Sequence, residues 1–277
     1  MTIRKTTEAF TRRAALSAGT GLLLSACAGT AGGDSNGKAA AAELSPTGEL
    51  RAAINFGNPV LANRVNGEPR GVSVDLAREA GRRLGLPVKL VLFESAGNVT
   101  EAVKKREVDM AFVAIDPVRG ADMDYTAPYV VIEGAYLVRN NSPLQRNEEV
   151  DRAGNRVMVA RGSAYDLYLA RELKQAKLVR TATSPTVVSE FLAQNVEVAA
   201  GVKQQMEGDA ARLGGVRLLP GRFMVIEQAM GVPKGRTAAQ AWLSGFIEEM
   251  KASGFVADAL KRHGIQGAGV APARRPA

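Results

Sequence analysis

Val108-Asp109-Met110-Ala111-Phe112-Val113-Ala114-Ile115 is an almost unbroken apolar run, and Asp116-Pro117-Val118-Arg119 follows it at once. Continuous apolar character without alternation marks a strand buried on both faces. Two shorter runs come before it, Leu50-Arg51-Ala52-Ala53-Ile54-Asn55 and Val88-Lys89-Leu90-Val91-Leu92-Phe93. Between them Val74, Leu76, Ala77, Ala80 and Leu84 recur at helical spacing, and Gly85 is a good stop. Asn98 is a candidate cap for a second helix running to Lys105. Strand, helix, strand, helix, strand implies parallel pairing with right-handed crossovers, an α/β fold.

The pattern then restarts. Arg156–Ala160 reads as a strand, 164–174 as a helix and 196–202 as a strand. The chain closes with helices over 239–252 and 256–262. Trp242, Phe246 and Met250 recur every four residues on one helical face, which is a core stripe. An internal echo links the two units: Val131-Ile132-Glu133-Gly134-Ala135-Tyr136-Leu137-Val138 resembles Val225-Ile226-Glu227-Gln228-Ala229-Met230-Gly231-Val232. A chain that leaves one lobe, builds a second and returns crosses the boundary twice, and two crossing strands make a hinge.

Composition narrows the chemistry. The 277 residues are 46% hydrophobic but only 5% aromatic, so the core is aliphatic. One cysteine excludes an intrachain disulfide, and His263, the one histidine, excludes a histidine-rich metal site. Among the usual signatures, HExxH, CxxC and the P-loop are all missing, so neither a cofactor nor a metal is expected. The net charge is +8, but the first 26 residues carry Arg4, Lys5, Arg12 and Arg13 against Glu8. The +5 left to the remainder is scattered and not interleaved with aromatics, so nucleic acid is not an expected partner.

Arg12-Arg13 precedes a modestly apolar stretch from Ala14 to Ala26, too short to span a bilayer. It reads as a signal peptide over 1–26, and Thr11–Leu16 resembles a twin-arginine export motif. Leu24-Ser25-Ala26-Cys27 resembles the lipobox of bacterial lipoproteins, which implies acylation of Cys27 and a membrane-anchored mature chain. The Gly/Ala-rich residues that follow read as a flexible tether over 27–47.

The body also resembles a known family. Gly48-Glu49-Leu50-Arg51, Gly67–Leu76, Asp116–Arg119 with Asp124–Tyr129, and Gly254–Ala257 are similar, in order, to motifs of the family 3 extracellular solute-binding proteins. Those proteins are receptors of ABC importers for amino acids and similar small polar solutes. The resemblance implies a two-lobed clamshell of the type II periplasmic-binding-protein class, each lobe a sheet flanked by helices. Lobe 1 would comprise 48–134 and 229–266, lobe 2 would comprise 135–228, and 267–277 would be a disordered tail. It also implies an extracytoplasmic monomer that delivers a small solute to a permease in the membrane.

Several residues become candidate ligand contacts. Arg119 matches the arginine that grips a ligand carboxylate, which a guanidinium does with two parallel N–H bonds. Gly162-Ser163 matches a strand-to-helix turn whose amides suit an anion, or it is an ordinary cap. Phe56 and Phe93 fall where the family places aromatics over the ligand, and each fits a core position equally; Tyr165 and Tyr129 are further aromatic candidates. The family's acidic residue for a ligand ammonium is replaced here, since Gly201, Val202 and Lys203 occupy that region. Either Asp116, Glu133 or Glu227 supplies the carboxylate, or the ligand has no ammonium. Asp116 alternatively pairs with Arg119, and the two glutamates alternatively are solvated hinge charges. The expected function is solute capture without catalysis; the alternatives are a ligand-sensing domain without transport and a dehydratase-like enzyme on the same fold.

Overall fold

The computed structural model describes residues 31–274. The export motif and Cys27 lie outside the described residues. The first helix, α1 (Ala31–Leu44), stands where the tether was expected. Its run Ala39–Ala42 favours helix, Ala40 and Leu44 are fully buried, and the Glu43 carboxylate accepts from the Ala239 amide at 2.8 Å. Packing against the body therefore orders a segment whose composition alone reads as linker.

The first α/β unit follows the expected order. Strand β1 is Leu50–Asn55, and a small hairpin of β2 (Asn63–Val65) and β3 (Glu68–Arg70) leads into α2 (Val72–Leu84). The buried face of α2 is Val72, Val74, Leu76, Ala77 and Ala80, and Gly85 ends it in the left-handed conformation, φ 67°. Strand β4 (Val88–Phe93), helix α3 (Ala96–Lys104) and strand β5 (Met110–Ala114) complete the unit. The cap of α3 is Ser95, whose hydroxyl accepts from the Asn98 amide at 3.2 Å; Asn98 itself lies within the helix. All five residues of β5 are buried.

The long strand β6 (Met123–Arg139) then carries the chain to the second unit. That unit is β7 (Arg156–Ala160), α4 (Ala164–Glu172), β8 (Lys177–Thr181), α5 (Val187–Ala193), β9 (Val198–Val202) and α6 (Lys203–Leu213). Strands β10 (Val216–Leu218) and β11 (Met224–Pro233) return the chain, and α7 (Thr237–Ala252), α8 (Phe255–Arg262) and β12 (Gly269–Val270) finish it. One sheet runs in the order β4-β1-β5-β11-β6-β9-β7-β8, with β10 and β12 added on β6. Strand β1 pairs in parallel with β4 and β5, and β7 in parallel with β8 and β9.

The two echoing octamers are the middle of β6 and most of β11. They pair with each other antiparallel, Val131 opposite Glu227 and Glu133 opposite Val225. Strand β6 continues onto β9 in the second half of the sheet, while β11 continues onto β5 in the first. Both crossings expected from the sequence are therefore central strands of one sheet. The expected disordered tail is in part ordered: β12 pairs with β6, Ala271 is buried, and the Lys251 ammonium donates to the Pro272 carbonyl. On α7, Phe246 and Met250 are buried and Trp242 stacks on Phe246 with centroids 5.3 Å apart.

A buried ion cluster ties the first half together. Asp109, fully buried, precedes β5. Its carboxylate accepts from Arg51 Nε at 2.8 Å, Arg51 Nη2 at 2.9 Å and the Arg51 amide at 3.1 Å, and from Arg236 Nη1 at 2.8 Å. Burial works against the ionised carboxylate, but the bonds from Arg51 and Arg236 outweigh it and hold its pKa below the ordinary value.

Candidate functional site

The carboxyl ends of the parallel strands in both halves converge on one internal cavity. Asn55 ends β1, with Gly57 and Asn58 just beyond, and Ala114 ends β5, with Arg119 shortly after it. From the second half come Ser163, Ala164 and Tyr165 after β7, Ser184 after β8, and Val202, the last residue of β9. Ligand sites in open α/β sheets form at such ends because the loops there are free to vary above a rigid sheet. Gln228 reaches the cavity from β11, at a register shift between Gln228 and Ala229 opposite Val130 and Pro128. Ile226, two residues earlier on the same face of β11, lines it as well.

Arg119 dominates the cavity. It is 1% exposed and sits in a single 3-10 turn, Arg119–Ala121. Its Nη1 donates to the Ala114 carbonyl at 2.8 Å and its Nη2 to the Gly162 carbonyl, in the other half, at 2.7 Å. Its Nε is buried and has no partner among the described residues. Burial disfavours the charged guanidinium and pulls its pKa below the ordinary value, and the nearby Tyr125 and Asp116 offset this only in part. Two helices point their amino termini the same way, since Ala96 of α3 and Ala164 of α4 both line the cavity. The helix dipole adds positive potential at such ends.

The rest of the lining is uncharged, with Asn55, Asn58, Ser163, Ser184 and Gln228 set among apolar Ala114, Val202 and Ile226. Asn58 Oδ1 is buried without a partner among the described residues. Asn55 Oδ1 accepts from the Gly57 amide at 3.0 Å. The Tyr165 hydroxyl donates to Ser184 Oγ at 3.0 Å, and burial pushes the phenol up to about 12. Arg119 and Tyr165 are thus the ionisable side chains of the lining. The volume is about 30 Å³, room for about two water-sized spheres.

The model of the bacterial extracellular solute-binding proteins, family 3, matches residues 41–266. The chain belongs to this family. Solved structures share the architecture of this solute-binding protein at low identity. A variant of the arginine-binding protein ArgBP of T. maritima is 20% identical with a TM-score of 0.71, covering 82% of this chain and 100% of that one. The solute receptor for L-cysteine of Neisseria gonorrhoeae is 21% identical, TM-score 0.71, covering 80% and 92%. An ancestral amino-acid-binding protein, a precursor of cyclohexadienyl dehydratase, is 18% identical, TM-score 0.69, covering 82% and 99%. Among curated proteins, none matches.

The residues singled out from the sequence of this family 3 protein divide into two groups. Arg119, Ser163 and Tyr165 line the cavity; Gly162 does not, but its carbonyl accepts from Arg119 Nη2. Ser163 also caps α4, its hydroxyl accepting from the Asp166 amide at 3.0 Å, as the cap reading of that turn expects. Asp116 is buried but faces elsewhere: its Oδ1 accepts from the Val118 amide at 2.8 Å and its Oδ2 from Arg171 at 2.9 Å. Its ion-pair partner is therefore Arg171 of α4, not Arg119. Phe56 is covered by the Arg64 guanidinium, 4.5 Å above its ring, and Phe93 packs beside α3; neither lines the cavity. Tyr129 is a core residue whose hydroxyl lies 3.2 Å from Ser73 Oγ.

The two hinge-region glutamates also stand apart. Glu133 binds Arg222 at 2.6 Å and Lys203 at 3.1 Å, and these cations hold its pKa below the usual carboxylate value. Glu227 is exposed on β11. His263 ends α8 with its Nε2 at 2.8 Å from Asp75, away from the cavity. Sequence reasoning missed Asn55, Asn58, Ser184 and Gln228. The strand-end argument that singles out Arg119 reaches Asn55 and Asn58 equally well; Ser184 follows β8, a strand with no distinctive pattern, and Gln228 lies on the same face of β11 as Ile226, a face that only the pairing of β11 into the sheet turns toward the cavity.

Proposed function

We propose that this chain is the substrate-binding component of an ABC uptake system, capturing a small polar or anionic solute between the halves of the fold and presenting it to a membrane permease. The observation that carries the reading is the buried Arg119, placed at a strand end with an Nε that has no partner among the described residues and with Nη2 reaching into the opposite half. A guanidinium with a spare donor at a boundary between two units is a capture device for a negatively charged group. The lining holds no carboxylate and no imidazole among the described residues, which favours binding over proton-transfer chemistry.

A cavity of about 30 Å³ is too small for an amino acid or an organic acid. Uptake then needs the halves to part, with β6 and β11 as the flexing strands. Gly97 and Gly162 meet across the boundary, and a Cβ on Gly162 would lie 2.8 Å from the Gly97 Cα. The expected result is that a saturating solute found in a thermal-shift screen compacts the small-angle scattering profile of the native chain. The profile of Gly162→Ala, wedged at this contact, should compact less. Superimposable native profiles with and without a bound solute would remove the closure reading.

The export motif and the Leu24–Cys27 sequence support delivery across the membrane followed by acylation of Cys27, which would hold the receptor beside its permease. Mass spectrometry of the exported protein should find a diacyl or triacyl group on an amino-terminal Cys27. An unmodified chain beginning upstream of Cys27 contradicts it.

A further inference from the structure

The charges around the cavity are not balanced. Its lining contains one guanidinium and, among the described residues, no carboxylate. The nearby carboxylates are already committed. Asp116 is held by Arg171 and the Val118 amide. Asp166 accepts from Arg180 Nε at 2.8 Å and from the Gly162 amide at 2.8 Å. Val202, 5% exposed, presents an apolar side chain at the end of β9, where the lining comes from the half opposite Arg119. Both helix ends at the cavity are amino termini, so their dipoles reinforce Arg119 rather than offset it.

We propose that the site selects small organic acids carrying a carboxylate and a hydroxyl, and that it rejects the α-ammonium of amino acids. The inference rests on the receptor reading above and specifies its substrate class. A carboxylate would accept from Arg119 Nε and face the amino-terminal turn of α4. The hydroxyl of a hydroxy acid would donate to Asn58 Oδ1, a neutral acceptor buried without a partner among the described residues. A protonated amine finds only neutral acceptors here, beside a guanidinium and two positive helix ends. An ammonium desolvated without a counter-charge is strongly disfavoured.

Matched pairs test this with the native full chain at pH 7: glycolate against glycine, L-lactate against L-alanine, and glycerate against serine, by titration calorimetry, with inorganic sulfate as a further arm. The hydroxy acid should bind about tenfold or more tightly than its amino counterpart in at least one pair. Val202→Asp, which places a carboxylate in the lining, should narrow or invert that ratio. The wild-type comparison stands without the variant if the variant does not fold. Equal or tighter binding of the amino acids, or a preference for sulfate, overturns the proposed class and leaves the receptor reading intact. Absence of binding and of thermal shift with every member of both sets and with a broader solute panel overturns both.

Discussion

Replacing Asp109 with alanine should destabilise the protein by about 3–5 kcal/mol, the scale for removing one partner of a buried ion cluster. Asp109 is fully buried and receives four hydrogen bonds from Arg51 and Arg236. The Arg51 side chain is 19% exposed and can recover some water, but that of Arg236 is 10% exposed and would be left as a buried cation without its carboxylate. The cluster joins β1, the start of β5 and the residue before α7, and its Arg236–Asp109 bond alone spans 127 positions. Its loss would loosen the sheet of the first half directly behind the strand ends that carry Asn55 and Arg119.

The sign of the pH dependence follows from the lowered pKa of Asp109. A carboxylate whose folded value lies below its unfolded value, about 3.9, contributes stability that is present above the unfolded value and lost as pH falls through the folded one. Urea unfolding should therefore show the full wild-type advantage at pH 7 and a shrinking one below about pH 4. A difference under about 1 kcal/mol at pH 7 would show that the cluster is dispensable.

Arg119→Met should weaken binding of the tightest organic acid in the calorimetric panel by about a hundredfold or more, about 2.7 kcal/mol. Methionine fills much of the same space but offers no donor to an anion. Arg119→Lys keeps the charge on a single ammonium that cannot span the Ala114 and Gly162 carbonyls, which Nη1 and Nη2 bridge, so it should recover only part of the loss. Thermal melts of the unliganded variants separate loss of binding from loss of fold. Unchanged affinity in both variants would remove Arg119 from the site.

Much of the fold is local information. The unbroken apolar run into β5, the helical stripe of α2 and its glycine stop, and the restart at Arg156 follow from short-range periodicity and turn chemistry. The same is true of the strand-end position of Arg119, whereas the turn at Gly162-Ser163 was read from its likeness to a family motif. The echo between residues 131–138 and 225–232 correctly marked two strands that cross between the halves, although its pairing into the centre of one sheet was not visible in either octamer alone.

What the linear chain left open was the choice of partners. Asp116 had Arg119 three residues away but binds Arg171, 55 residues away, because the turn after β5 aims its carboxylate at α4. Phe56 and Phe93 carried the same apolar signal whether they faced a solute or the core, and packing sent both away from the cavity. Residues 31–44 have linker composition, yet docking against α7 makes them a helix. Propensity and periodicity are set within a few residues, so the sequence by itself determined the strands, helices and turns. Which charge meets which, and which cation is left to meet a ligand, depends on distant segments brought together in space, and only the tertiary structure decided that.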